Sequence, residues 1–219
     1  MDASVRSRLS RSDRMEQTLG VAHGLFAERG YADVTMEEIA AEVGVTKPLL
    51  YNYFGNKERL YIACMEQAGD SLTRTVGAAI AGTDSPGDAL GASVRAFFAF
   101  LDSDRAAWAV LFDETLPASG EVADKVAAYR GQILELVSGS LLAQMPDSLR
   151  DAHRVEIEAL SAALLGAAEE LARWWLRTQA ISAGEAAELL ISTVEPGIRA
   201  RSAAAVSPTS KPGKGTQKE

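Results

Sequence analysis

Thr35-Met-Glu-Glu38-Ile39-Ala-Ala-Glu-Val43-Gly44-Val-Thr46-Lys47-Pro48-Leu49-Leu50-Tyr51-Asn52-Tyr53-Phe54-Gly55-Asn56-Lys57 is the stretch on which the fold turns. Thr35 and Glu38 are spaced as a capping box: the hydroxyl takes one free backbone N–H and the carboxylate reaches back to another. Met36, Ile39, Ala40 and Val43 then fall on one apolar helical face, and Gly44 ends the helix after barely two turns. Thr46 is placed to cap the next helix. Pro48 lies in its first turn, where a missing N–H does no harm. Leu50 and Phe54 share the face that meets the bracing helix, which leaves Lys47, Pro48, Tyr51 and Asn52 outward. Two short helices about a glycine turn make a helix-turn-helix, expected over 35–54, and its second helix has the width of a DNA major groove.

The outward side chains suit that groove. Lys47 can reach a phosphate or a guanine edge, and Asn52 can pair with adenine. Tyr51 and Tyr53 offer hydroxyls to phosphate, and Pro48 or Leu49 can touch a thymine methyl. Lys57, with the free amides opening the following helix, is expected to form a second phosphate clamp, and the hydroxyls of Thr35 and Thr46 to act likewise. A compact helical corner that binds no DNA is the alternative these residues leave open.

Working outward, a helix is expected over 12–29, where Met15, Leu19, Ala22 and Phe26 line one face and Gly30 closes it. A long fourth helix should run over 57–81 with Asn56 as its cap. Further helices are expected over 86–102, 104–115, 119–144, 148–179 and 182–199, about nine in all. Pro86 sits at the first position of one, and Ser182 with Glu185 forms a second capping box at another. The chain therefore divides into a basic arm at 1–10, a helix-turn-helix domain at 11–60, a regulatory and dimerisation domain at 61–200, and a disordered tail at 201–219.

Composition sets the class. Apolar residues make up 47% of 219, and no alternating β-branched runs are seen, so the fold is expected to be all-α. The net charge of −8 is unevenly spread: −1 over 1–62, −9 over 63–205 and +2 beyond. The acid thus lies mostly outside the helix-turn-helix, and Arg6, Arg8, Arg11 and Arg14 make the N-terminus basic. The single cysteine, Cys64, rules out a disulfide within the chain and suits a cytoplasmic setting. No run is long enough to span a membrane. The two histidines, His23 and His153, lie on different expected helices in no metal-ligand spacing, and there is no phosphate loop or nucleophile elbow. No catalytic residue, metal or cofactor is expected.

The segment from Leu25 to Leu60 resembles the TetR/AcrR family of bacterial regulators. Phe26-x-x-x-Gly30-Tyr31, Thr35, Ile39-Ala40, Gly44-Val45, Leu50-Tyr51-x-Tyr53-Phe54 and Asn56-Lys57 all stand in family register. The resemblance implies an Ω-shaped homodimer. Its three N-terminal helices bind DNA, and helix four joins them to a ligand-binding, dimerising region. By matching positions it assigns DNA contact to Thr35, Thr46, Lys47, Pro48, Leu49, Tyr51, Asn52, Tyr53 and Lys57. Leu49 departs from the small or hydroxylated residue common in relatives, which bears on base preference and not on the fold. By the same analogy Ile157, Leu160, Leu164, Ala168 and Leu171 on one helix, with Leu190 and Val194 on the next, form the dimer interface. The small residues Ala159, Ala163, Gly166 and Ala167 would allow close approach.

Aromatic residues cluster at Phe97, Phe98, Trp108 and Phe112 and again at Trp174 and Trp175. They are candidates for lining the cavity of a small apolar or amphipathic ligand. Asp113, Glu114, Glu169 and Glu170 lie nearby in sequence, and a buried carboxylate there would favour a cation. The expected function is a homodimeric repressor released from a palindromic operator in double-stranded DNA by a small molecule. The alternatives are an activator, a ligand-independent regulator, or a helical interaction protein without specific DNA binding.

Overall fold

The structure, a computed structural model, describes residues 10–83, 88–112, 116–143 and 145–206. Among these residues there are nine helices and no strand, in keeping with the all-α expectation: α1 Arg11–Asp33, α2 Met36–Val43, α3 Lys47–Phe54, α4 Lys57–Ala81, α5 Ala89–Ser103, α6 Arg105–Leu111, α7 Glu121–Ala143, α8 Asp147–Thr178 and α9 Ala183–Val206. None of them is long and apolar enough to cross a membrane. Most of the basic arm, the Pro86 start signal, Asp113, Glu114 and the tail beyond 206 lie outside the described residues.

The caps act largely as their residue types dictate. Glu38 N–H donates to Thr35 Oγ1 at 3.3 Å while Thr35 N–H donates to Glu38 Oε2 at 2.9 Å, closing the capping box of α2. At the other end Gly44 adopts φ 74°, ψ 35°, a left-handed conformation that only glycine takes without cost. Thr46 departs from expectation: its side chain makes no capping bond. An N-cap oxygen bonds the second or third helical amide; here the second is Pro48, which has none, and the third, Leu49, donates to the Thr46 carbonyl at 3.0 Å instead. Gly30 does break α1, at φ 77°, ψ 165°, but the chain re-enters a helical turn and continues to Asp33. α6 is shorter than the span 104–115 expected for it, and α9 runs past 200 to Val206 with Pro196 inside it.

Two apolar cores result. One gathers Phe26 of α1, Ile39 and Val43 of α2, Leu50 and Phe54 of α3 and Leu60, Tyr61, Cys64 and Met65 of α4. The other joins α4, α5, α7, α8 and α9 around Leu72, Val76, Phe98, Leu101, Ala172 and Trp175. α4 has 25 residues, about 37 Å of helix at 1.5 Å per residue, and serves both cores. The first core also takes in Val110 of α6 and Val122 of α7, both fully buried. Beneath Val110 the buried Tyr61 hydroxyl donates to its carbonyl at 2.7 Å, and the Tyr61 ring meets Phe26 and Tyr31 edge-on at 4.8 and 4.9 Å. Burial also pushes the Cys64 thiol up to about 12, so this cysteine is an inert packing residue.

Tyr61→Phe leaves the Val110 carbonyl buried without its donor. It should lower unfolding stability by about 1–2 kcal/mol. Urea denaturation should show a lower midpoint with an unchanged slope.

Candidate nucleic-acid interface

Leu50 and Phe54 anchor α3 in the core, and their burial turns the opposite face outward. Thr46, Lys47, Pro48, Tyr51 and Asn52 are exposed there, with Leu49 and Tyr53 half-buried at the flanks. The groove-facing residues read from the sequence therefore share one surface. Lys47 pairs with Glu37 of α2, and its ammonium lies 5.7 Å from the centre of the Tyr51 ring. The guanidinium of Arg11, at the start of α1, sits 5.5 Å from the centre of the Tyr53 ring and so adds a cation beside α3.

Two residues expected among the contacts are otherwise engaged. Lys57 does not present its ammonium outward: Nζ donates to the carbonyls of Tyr31 and Ala32 at 2.8 and 3.3 Å and lies 4.4 Å from the Tyr31 ring centre. The Gly30 break frees carbonyls at the negative end of α1, and a cation is the natural partner for them. Sequence spacing could not show this, since the two sites are 26 residues apart. Thr35 spends both hydrogen-bonding roles of its hydroxyl on Glu38, donating to Oε2 at 2.8 Å. Those bonds, with Arg29 Nη1 at 3.0 Å, hold the Glu38 carboxyl below its usual range.

In the second core two adjoining narrow cavities, partly open to solvent, lie between α4, α5, α7 and α8 and share the side chains of Phe97, Ile133 and Leu165. Of the aromatic candidates only Phe97 and Phe112 reach their walls. Phe98 packs against Trp175 at 6.0 Å, Trp175 Nε1 donates to the Ile181 carbonyl, and Trp108 stacks on Phe112 at 4.1 Å from behind. Trp174 is half-buried against the core and lines neither cavity. The walls are chiefly aliphatic, from Val76, Val94, Val137 and Leu164. Such residues give no signal in a sequence that separates cavity wall from ordinary core.

The expected dimer residues also divide. Ile157, Leu164, Ala168 and Leu190 are buried within the chain itself, while Leu160, Leu171 and Val194 are half-buried against the same core. An apolar stripe on a helix shows that the face is covered but not by what; here the chain's own helices bury four of the seven residues and leave Leu160, Leu171 and Val194 partly exposed. The outward face of α8 carries Ala159, Ala162, Ala163, Gly166 and Ala167. All five are exposed, and α9 exposes Leu189 at 53%.

With this geometry established, three kinds of comparison agree. Residues 19–64 match the model of bacterial regulatory proteins of the tetR family, and residues 86–195 match that of the tetracyclin repressor-like C-terminal domain. The chain is 33% identical over 174 residues to the HTH-type transcriptional activator FasR of Mycolicibacterium smegmatis, covering 78% of this chain and 75% of that protein. Its fold is similar to the crystal structure of a TetR-like transcriptional regulator from Rhodococcus sp. RHA1, with TM-score 0.73, 28% identity and coverage of 88% and 99%. It is also similar in fold to AibR in complex with isovaleryl coenzyme A and operator DNA, with TM-score 0.68, 22% identity and coverage of 84% and 98%.

The two lysines should separate by experiment. Lys57→Met, which removes the tie between α4 and the end of α1, should lower the stability of the free protein by about 1 kcal/mol. Lys47→Ala, at an exposed position, should change it by less than about 0.5 kcal/mol. Thermal unfolding without DNA measures both.

Proposed function

The chain belongs to the tetR family of bacterial regulatory proteins, and from that premise we propose a ligand-responsive homodimer that holds a palindromic operator through α3 and leaves it when a small apolar or amphipathic molecule enters the cavities beside α4. The protein is a DNA-binding transcriptional regulator. Repression is the leading reading of its effect on transcription. The relative named as an activator supports a second, in which the same DNA occupancy favours transcription.

The observation that carries the coupling is α6. On one side Val110 plugs the N-terminal core and accepts the Tyr61 hydrogen bond. On the other, Leu111 and the adjoining Phe112 line a cavity. Seven residues make too short a helix to hold itself, so α6 follows whatever its two sides touch. A molecule that displaces Leu111 and Phe112 displaces Val110, and with it α4 and the recognition helix. In a dimer the separation of two such helices must match successive turns of one DNA face, so a small displacement costs affinity. That this fold accommodates an acyl ligand and DNA is illustrated by AibR.

For DNA contact the proposed set is Thr46, Lys47, Pro48, Leu49, Tyr51, Asn52 and Tyr53, with Arg11 beside them; Lys57 and Thr35 brace the unit instead. For the dimer, the small-residue face of α8 with Leu189 of α9 replaces the buried stripe, because an exposed alanine and glycine surface lets a second helix pack closely.

Selection from a random duplex pool should return a two-fold symmetric site, and a single half-site would sink the dimer. On that site Lys47→Ala should reduce the slope of log affinity against log salt by about 0.9 for each lysine–phosphate ion pair removed, whereas Lys57→Met should leave the slope unchanged. Glu37→Gln, which releases Lys47 and removes a negative charge from the DNA face, should tighten binding about fivefold. Ala163→Arg should give a monomer by sedimentation velocity.

A further inference from the structure

The cavity bounded by Leu72, Leu111, Phe112, Val126 and Ile133 has an almost wholly apolar surface, with two polar side chains buried in its wall. Glu169, only 6% exposed, enters its wall from α8, and Thr73 enters from α4. Glu169 Oε2 is held by Arg130 Nη2 at 2.7 Å, but its Oε1 is buried and has no hydrogen-bond partner among the described residues. Thr73 Oγ1 is buried and unpartnered in the same wall. A buried oxygen left in this condition costs about 1–3 kcal/mol, and more when charged, so two in one cavity are strong local selectors of what enters.

The charges in the wall itself are already balanced. Arg130 offsets Glu169, and Arg173 on the next turn of α8 is paired with Glu170. Across the cavity Tyr129 donates to Asp70 at 3.0 Å, and Glu66 pairs with Lys125 at 2.6 Å. The wall thus holds no uncompensated charge to neutralise a cation, contrary to what a buried carboxylate alone suggests. It holds one oxygen that accepts and one hydroxyl that both donates and accepts. A single neutral hydroxyl seated between them would satisfy both, donating to Glu169 and accepting from Thr73.

Resting on the reading of this cavity as the ligand site, we propose that Glu169 and Thr73 select an uncharged apolar molecule bearing a hydroxyl group, gripping that hydroxyl while Phe97, Leu111 and Ile133 cover the hydrocarbon. The recognised class is an alcohol on an aliphatic body. Ethers, which accept but cannot donate, and ammonium compounds, which bring an unbalanced charge, are discriminated against.

Calorimetric titration of the full chain with three probes of one size tests this: 1-octanol, its isomer heptyl methyl ether, and octylammonium. Octanol should bind about tenfold or more tightly than either of the others, the worth of a hydrogen bond to a charged acceptor. Glu169→Met should bring octanol and the ether level, whereas the near-isosteric Thr73→Val should weaken both about equally and keep octanol ahead; loss of that preference in Thr73→Val would overturn Glu169 as the selecting acceptor, and this variant carries the test should the other fail to fold. Equal binding of octanol and ether by the unaltered protein would overturn the selection while leaving the cavity as a ligand site. Tightest binding of octylammonium would overturn it in favour of a cation. If none of the three binds, the ligand-site reading falls and this inference with it.

Discussion

One unbroken helix has to satisfy two apolar cores, and the rest of the molecule is arranged around that requirement. Leu60, Tyr61, Cys64 and Met65 commit the first half of α4 to the N-terminal core, and Leu72 and Val76 commit the second half to the other. With 3.6 residues per turn, a helix gripped at both ends cannot rotate at one without turning at the other. The side chains between are close-packed: a Cβ on Gly69 would lie 2.6 Å from the Tyr129 ring. Tyr129 is itself tied down. Burial first, and its bond to Asp70 second, push its hydroxyl up to about 12. A helix so clamped transmits displacement and does not absorb it.

The proposed DNA face shows how an acidic chain can accommodate a polyanion. Net charge of −8 opposes approach to phosphate only to the extent that charge lies within a Debye length of the contact. Near α3 the acids are individually occupied: Glu37 by Lys47, and Glu38 by Thr35 and Arg29. The face therefore shows polar and aromatic side chains with few bare carboxylates. Lys57, drawn onto the end of α1, places its charge in the service of the scaffold.

Local chemistry is legible in the sequence, and tertiary partnership is not. The Thr35 and Ser182 capping boxes, the left-handed Gly44 and the outward face of α3 all follow from residues within one or two turns of each other. Lys57 and most of the aromatic residues take roles that spacing does not reveal, because their partners lie far along the chain. The Ile157-to-Trp175 stripe reads as a covered face, and the chain's own helices cover most of it while Leu160 and Leu171 stay half-buried. Glu169 stands out in the sequence only as a carboxylate near tryptophans. Its importance depends on Arg130, 39 positions earlier, which neutralises it while leaving one oxygen free. Periodicity reports that a face is buried; it carries no information about the identity of the neighbour.

The intrusion of Val110 and Val122 into the N-terminal core has a consequence for how the molecule opens. Both are fully buried among residues of α1 and α4, with Leu116 and Val126 packed beside them. Residues 11–60 alone would lack this wall and present a bare apolar patch to water. The helix-turn-helix segment is therefore not an autonomous foldon: its amides exchange with solvent only as fast as α6 and the start of α7 detach from it. Hydrogen exchange in α1 and α6 is bound to be correlated although some eighty residues separate them, and a nick between α6 and α7 would loosen the recognition helix from a distance.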